Sequence, residues 1–229
     1  NMRLIIVGCE YSGKTTLSEE IIKWTKNKLG GGRSFHDHFT IPNPELSKEA
    51  MDEFIKSHPQ IKEMYQRFMM AHHLSPEFYK GADHNIVGFH IEEAVYAPLY
   101  YGYGGKNSGA LERAPEGQRS YWARVLDKEI LDIAPDTVLI LMKADPEIIK
   151  GRMDENPHEY QVVQKDDVEY VLERFEDEYA NSLIGRRFVL DTSHASISDT
   201  IAEFQEKIEP LLTNQDRLRM VAHSDLWSK

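Results

Sequence analysis

Apolar residues follow two rhythms along this chain. Short runs with little alternation, MRLIIV at 2–7 and DTVLILMKA at 136–144, read as strands buried on both faces, the habit of a parallel sheet. SFHDHF at 34–39, HNIVGFHI at 84–91 and RRFVLDTS at 186–193 read as further strands. Between them apolar residues recur at helical spacing, as at Leu17, Ile21, Ile22 and Trp24, where a helix begins after Gly13 and stops at the triple glycine 30–32. Two helices split near Pro59 fill the region from Pro42 to Gly81, the first starting at Ser47. Residues 92–109 begin as a helix and dissolve into a loop rich in glycine and tyrosine. Residues 119–134, a segment opened by Asp145-Pro146 with the aspartate as cap, 165–183 and 196–212 complete the helices. The polar tail after Thr213 gives no clear pattern. This alternation predicts an α/β fold: a five-stranded parallel sheet with helices on both faces, in a single domain over residues 1–229.

Charge and cysteine narrow the function. The net charge is −11, from 27 Lys and Arg against 38 Asp and Glu. An acidic surface repels nucleic-acid backbones, so no nucleic-acid partner is expected. The single cysteine, Cys9, excludes a disulfide framework and points to a reducing, cytoplasmic setting. The longest apolar runs are far too short to cross a bilayer, and no signal-like segment opens the residues. Asn1 ahead of Met2 reads as an expression scar and is set aside.

The stretch GCEYSGKTT, Gly8 to Thr16, sits between the first strand and the first helix and fits G-x-x-x-x-G-K-[ST]. Glycines at both ends let backbone N–H groups wrap around phosphate oxygens, and the helix N-terminus adds partial positive charge. Gly8, Tyr11, Ser12, Gly13, Lys14, Thr15 and Thr16 form the expected cradle, with Lys14 on the β- and γ-phosphates and the Thr15 hydroxyl on Mg²⁺. The cofactors expected are ATP and Mg²⁺. No Asn-Lys-x-Asp base-reading segment follows a later strand, which argues against a GTPase. Cys9, inside the loop, is either a thiol activated by the surrounding N–H donors or a small buried filler.

With these motifs in place, the chain resembles thymidylate kinase-like and deoxynucleoside-kinase-like P-loop proteins. LIIVGCEYSGKTTLSEEI, FHIEEAVYAPLYYG, DTVLILMKADPEIIKGRM and RFVLDTSHASISDTIAEF carry the resemblance in order along nearly the whole length. It implies a three-layer α/β/α kinase fold with a helical lid at about 150–165. It implies Mg- and ATP-dependent phosphoryl transfer to a nucleotide, foremost a deoxynucleoside monophosphate such as dTMP. Arg152 becomes the candidate lid arginine, closing on the transferred phosphoryl group, with pairing to Asp154 or Glu155 as the competing reading. Arg119 becomes a candidate for the acceptor phosphate, and Tyr96 and its neighbouring tyrosines for stacking on a base or packing in the core. A homodimer through helical faces stays open.

One departure bears on the chemistry. The family usually has Asp-Arg at the end of the third strand, where this chain has Val87-Gly88, and Glu92 stands in place of a serine four residues on. Asp37, toward the end of the second strand, and Glu92 are candidate replacement carboxylates. A carboxylate suits a hydroxyl acceptor, so a nucleoside or small-alcohol kinase is the alternative function, with Asp37 or Glu92 as base and substrate contact. A nucleotide-binding protein that has lost kinase activity is the rival from outside the enzymes. His36-x-His38 puts two imidazoles on one strand face, but no further ligand lies at a metal-binding spacing.

Overall fold

The computed structural model describes residues 2–30, 33–77, 82–104 and 118–227, the side chains of 33–37, 82, 118 and 225–227 excepted. Strands β1 (Arg3–Val7), β2 (Arg33–His38), β3 (Ala82–Val87), β4 (Val138–Lys143) and β5 (Arg187–Asp191) pair in parallel in the order β2-β3-β1-β4-β5. Helices α1 (Lys14–Leu29), α2 (Lys48–Lys56), α3 (Pro59–His73), α4 (Phe89–Tyr96), α5 (Gln118–Ile133), α6 (Pro146–Glu155), α7 (Val168–Asn181), α8 (Ile197–Ile208) and α9 (Asn214–Trp227) complete the described elements, with short π and 3₁₀ turns between them.

Alternate residues of the central strands feed two separate cores, which is what a two-sided sheet requires. Ile5, Val7, Ile86, Leu139 and Leu141 pack with Ile91, Val95, Val171 and Phe175 of α4 and α7. Leu4, Ile6, Val138, Ile140 and Met142 pack on the other face with Leu17, Ile21, Trp24, Phe204 and Ile208 of α1 and α8. The result is three layers, α/β/α. Strand β1 lies between β3 and β4, so successive connections leave it in opposite directions. Such a switch opens a crevice at the carboxyl ends of the strands.

Three elements differ from the sequence expectation. The third strand stops at Val87, and Phe89–Ile91 already belong to α4. Gly88, at φ +90°, turns the chain out of the sheet there, and Phe89 follows at φ +50°. Asp145 caps α6 with its main chain alone: Ile149 N–H donates to its carbonyl, and the carboxylate makes no cap bond. The segment expected as a helical lid is helical only up to Glu155 and again in a 3₁₀ turn at Lys165–Asp167. Ser47 does cap α2, accepting from the Ala50 N–H. The polar tail forms α9, tied to the start of β3 by a two-bond Arg219–Asp83 pair at 2.8 and 2.9 Å. The glycine- and tyrosine-rich loop past Gly104 lies outside the described residues.

Candidate active site

Gly8 ends β1 at φ +149°, and a Cβ there would stand 2.2 Å from the Met142 carbonyl oxygen. Only glycine lets the loop pass this close to β4. Gly13, at φ +93°, closes the loop and starts α1 with no side-chain cap and no acidic residue in the first turn. The leading N–H groups of α1 are therefore left for an anion. Lys14 Nζ donates to the Gly8 carbonyl at 2.5 Å and the Cys9 carbonyl at 3.1 Å. A cleft of about 690 Å³ opens over this loop. Gly13, Lys14, Thr15 and Thr16 line it, with Arg152, Thr192 and Ile197 on the β5 side and His38, Thr40, Val87 and Glu92 on the β3 side. Gly8 and Ser12 shape the loop without lining the cleft; the Ser12 carbonyl accepts from Thr192 Oγ1 at 3.0 Å.

Glu92 is the carboxylate the fold delivers to this cleft. Gly88 N–H pairs with the Ile6 carbonyl, and Glu92 N–H with the Gly88 carbonyl, so β1 and the first turn of α4 are locked together. The Glu92 carboxylate lies 3.5 Å from Lys14 Nζ and is 2% exposed. It occupies the space over Gly88, where an added Cβ would meet Glu92 Cδ at 2.7 Å. Burial pushes its carboxyl up to about 7; Lys14 pulls the other way and Glu10 adds to the rise. Desolvation outweighs the nearby ammonium because both groups sit in low dielectric with few other partners. A group whose folded pKa is raised contributes stability below its unfolded value, and that contribution is lost as pH climbs through the folded value. Between about pH 4.5 and 7 this amounts to about 3 kcal/mol. Urea unfolding of Glu92→Gln against the parent should show the parent's relative stability falling across that window.

Other predicted residues are placed differently. Arg119 does not line the cleft: its guanidinium forms a buried pair with Glu93, to which the Tyr103 hydroxyl also donates at 3.0 Å. Tyr96 is wholly buried, and its hydroxyl accepts the Glu10 N–H at 3.0 Å, bracing the loop from below rather than stacking on a base. Tyr101 and Tyr103 are core residues as well. Asp37 lies opposite Ile86 in the sheet register, and its side chain is outside the described residues. Arg152 lines the cleft, but from α6 it ties the phosphate loop to the end of β5. It donates to the Tyr11 carbonyl at 2.9 Å and the Thr192 carbonyl at 2.6 Å. Asp154, its alternative partner, pairs with Lys165 instead.

Cys9 is the buried filler, not an activated thiol. It is fully buried, and burial pushes the thiol up to about 12. Iodoacetamide at pH 8 should label native protein only at the rate of unfolding; labelling at the rate of a free thiol would contradict this placement.

Sequence reasoning missed the far wall. Residues 156–164 cross over the loop and are held by Glu10 and Tyr11, two of its own members. Glu10 Oε2 accepts the Val162 and Val163 N–H groups at 2.9 and 3.0 Å. Tyr11 Oη accepts the His158 N–H at 2.8 Å and donates to Gln161 Oε1 at 2.8 Å. Tyr11 sits at φ +66°, a strained setting for a non-glycine residue that these contacts hold in place. The signal was in the motif: a carboxylate inside a phosphate loop must face something other than phosphate.

The fold is the one seen in thymidylate kinase-like and deoxynucleoside kinase-like P-loop structures. No family model and no curated protein matches the chain. Among solved structures it is similar to deoxyadenosine kinase from M. mycoides with bound dATP, at 16% identity and a TM-score of 0.56, covering 90% of this chain and 99% of that one. It is also similar to thymidylate kinase from Candida albicans, at 15% identity and a TM-score of 0.53, covering 91% and 92%.

Proposed function

We propose that the protein transfers a phosphoryl group from Mg-ATP to a hydroxyl of a nucleoside, with Glu92 as the base. The carrying observation is the carboxylate of Glu92, buried beside Lys14 in the cleft, while Arg119 is committed to Glu93. A monophosphate acceptor arrives ionised and needs cations around it. The cations lining the cleft among the described residues are Lys14 and Arg152, with His38 and His158 as titratable additions, against Glu10, Glu20 and Glu92. That balance favours a neutral acceptor over the monophosphate the family resemblance implies.

The residues fit a bound nucleotide. The uncapped start of α1 and Lys14 suit its phosphates, and the Thr15 hydroxyl is the ligand offered to Mg²⁺. Mg-ATP supplies an electrophilic γ-phosphorus and a stable leaving group. Glu92 takes the acceptor's proton as the acceptor oxygen bonds to phosphorus. Lys14 leaves Glu92 for the phosphates and neutralises the charge that the broken P–O bond leaves on the β-phosphate side. Arg152 fixes the loop's position rather than meeting the reacting group.

ADP release from Mg-ATP across a panel of nucleosides and monophosphates, with Lys14→Ala as the blank, tests this. Stimulation by a nucleoside that the blank lacks is the expected result. ATP binding with no acceptor response would favour a binding protein without kinase activity.

A further inference from the structure

The cleft is short of positive charge for a nucleoside triphosphate, and the segment that roofs it has no lysine or arginine between Met153 and Gln164. Its one basic side chain is His158. That ring stacks on Tyr11, centroids 4.2 Å apart and planes 18° off parallel, and it lines the same cleft as Lys14. The His158 main-chain N–H is fixed by Tyr11 Oη, and Nδ1 lies 3.3 Å from Glu10 Oε1. The Glu10 carboxylate accepts a hydrogen bond from Nδ1–H, which leaves Nε2 as the nitrogen for a ligand. We infer that protonated His158 is a phosphate ligand carried to the loop by residues 156–164, donating from Nε2 to the terminal phosphate. The inference rests on the reading of the loop as a nucleotide site.

The chemistry makes this contact depend on a proton. A neutral ring protonated at Nδ1 turns a lone pair toward the phosphate and repels it; the imidazolium turns an N–H and a charge toward it. Triphosphate binding is then linked to proton uptake at His158. Glu10 and Tyr11 face the ring from the loop. Lys14, Glu92, Glu20, Arg152 and a second imidazole, His38, share the cleft, and burial raises the Glu92 carboxyl to about 7.

The test is calorimetric binding of a Mg-ATP analogue with a methylene β–γ bridge, from pH 6 to 9, in buffers of different ionisation enthalpy. Wild-type protein should take up protons on binding and lose about tenfold in affinity across the range. His158→Gln should show the low affinity throughout and less uptake. His158→Arg should bind tightly at every pH with the same reduced uptake, and Glu92→Gln should keep the His158 contribution. ADP, which lacks the terminal phosphate, should show none of this dependence. His158→Gln with wild-type uptake and affinity at pH 6 would overturn the inference. No acceptor is needed, so a protein that passes this test yet phosphorylates nothing would lose the kinase reading and keep this one. A protein that binds no triphosphate would lose both.

Discussion

Glu92→Gln should lower acceptor-dependent kcat by about 10²–10⁴-fold, the usual worth of a positioned base. Mg-ATP affinity should not fall, because the amide removes a negative charge 3.5 Å from Lys14 and frees that lysine for the phosphates. The parent's turnover should also fall on the acid side, since burial raises the pKa of the carboxyl and a protonated base accepts nothing. In the glutamine variant this limb should vanish. Stopped acceptor-dependent ADP release between pH 5.5 and 9 reads both effects. A glutamine variant with parental kcat would remove Glu92 from the chemistry.

Gly88→Ala should be nearly as damaging, although it touches no substrate. Its added Cβ would meet the Glu92 carboxyl carbon at 2.7 Å and both oxygens at 2.8 and 2.9 Å, so the carboxylate must move. A shift of about 1 Å in a reacting group costs on the order of 10²-fold in rate. The φ of +90° also costs an alanine about 1–2 kcal/mol, which lowers Tm by about 2–8 °C for a chain of this size. The combined Gly88→Ala/Glu92→Gln variant should turn over no more slowly than Glu92→Gln alone, because both changes remove one function. Additive losses would mean that Gly88 serves something other than the room for Glu92.

These two residues also mark where the sequence stopped being readable. The strands β1 and β4 and the glycine-framed turn between β1 and α1 were legible because doubly buried strands are apolar throughout and the glycine spacing answers to one geometry. The neighbours Glu92 and Glu93 are alike in sequence, yet one faces Lys14 and the other Arg119. Which one meets the cleft depends on where α4 begins. Gly88 starts the helix at Phe89, three residues before the expected glutamate, and each residue of helix rotates the face by about 100°. Arg152 was legible as a cleft residue but not by its task, because its partners, the Tyr11 carbonyl and the carbonyl and hydroxyl of Thr192, include no charged group to find in the sequence. The Arg219–Asp83 tie of α9 spans 136 positions and has no local signature either.

Turnover of Mg-ATP with a deoxynucleoside, set against turnover with its own 5′-monophosphate and corrected by the Lys14→Ala blank, separates a hydroxyl acceptor from a phosphate acceptor. With Glu92 as base and Arg119 committed to Glu93, the nucleoside should stimulate and its monophosphate should not. Stimulation by the monophosphate alone would contradict the account and return the cleft to the acceptor that the family resemblance implies.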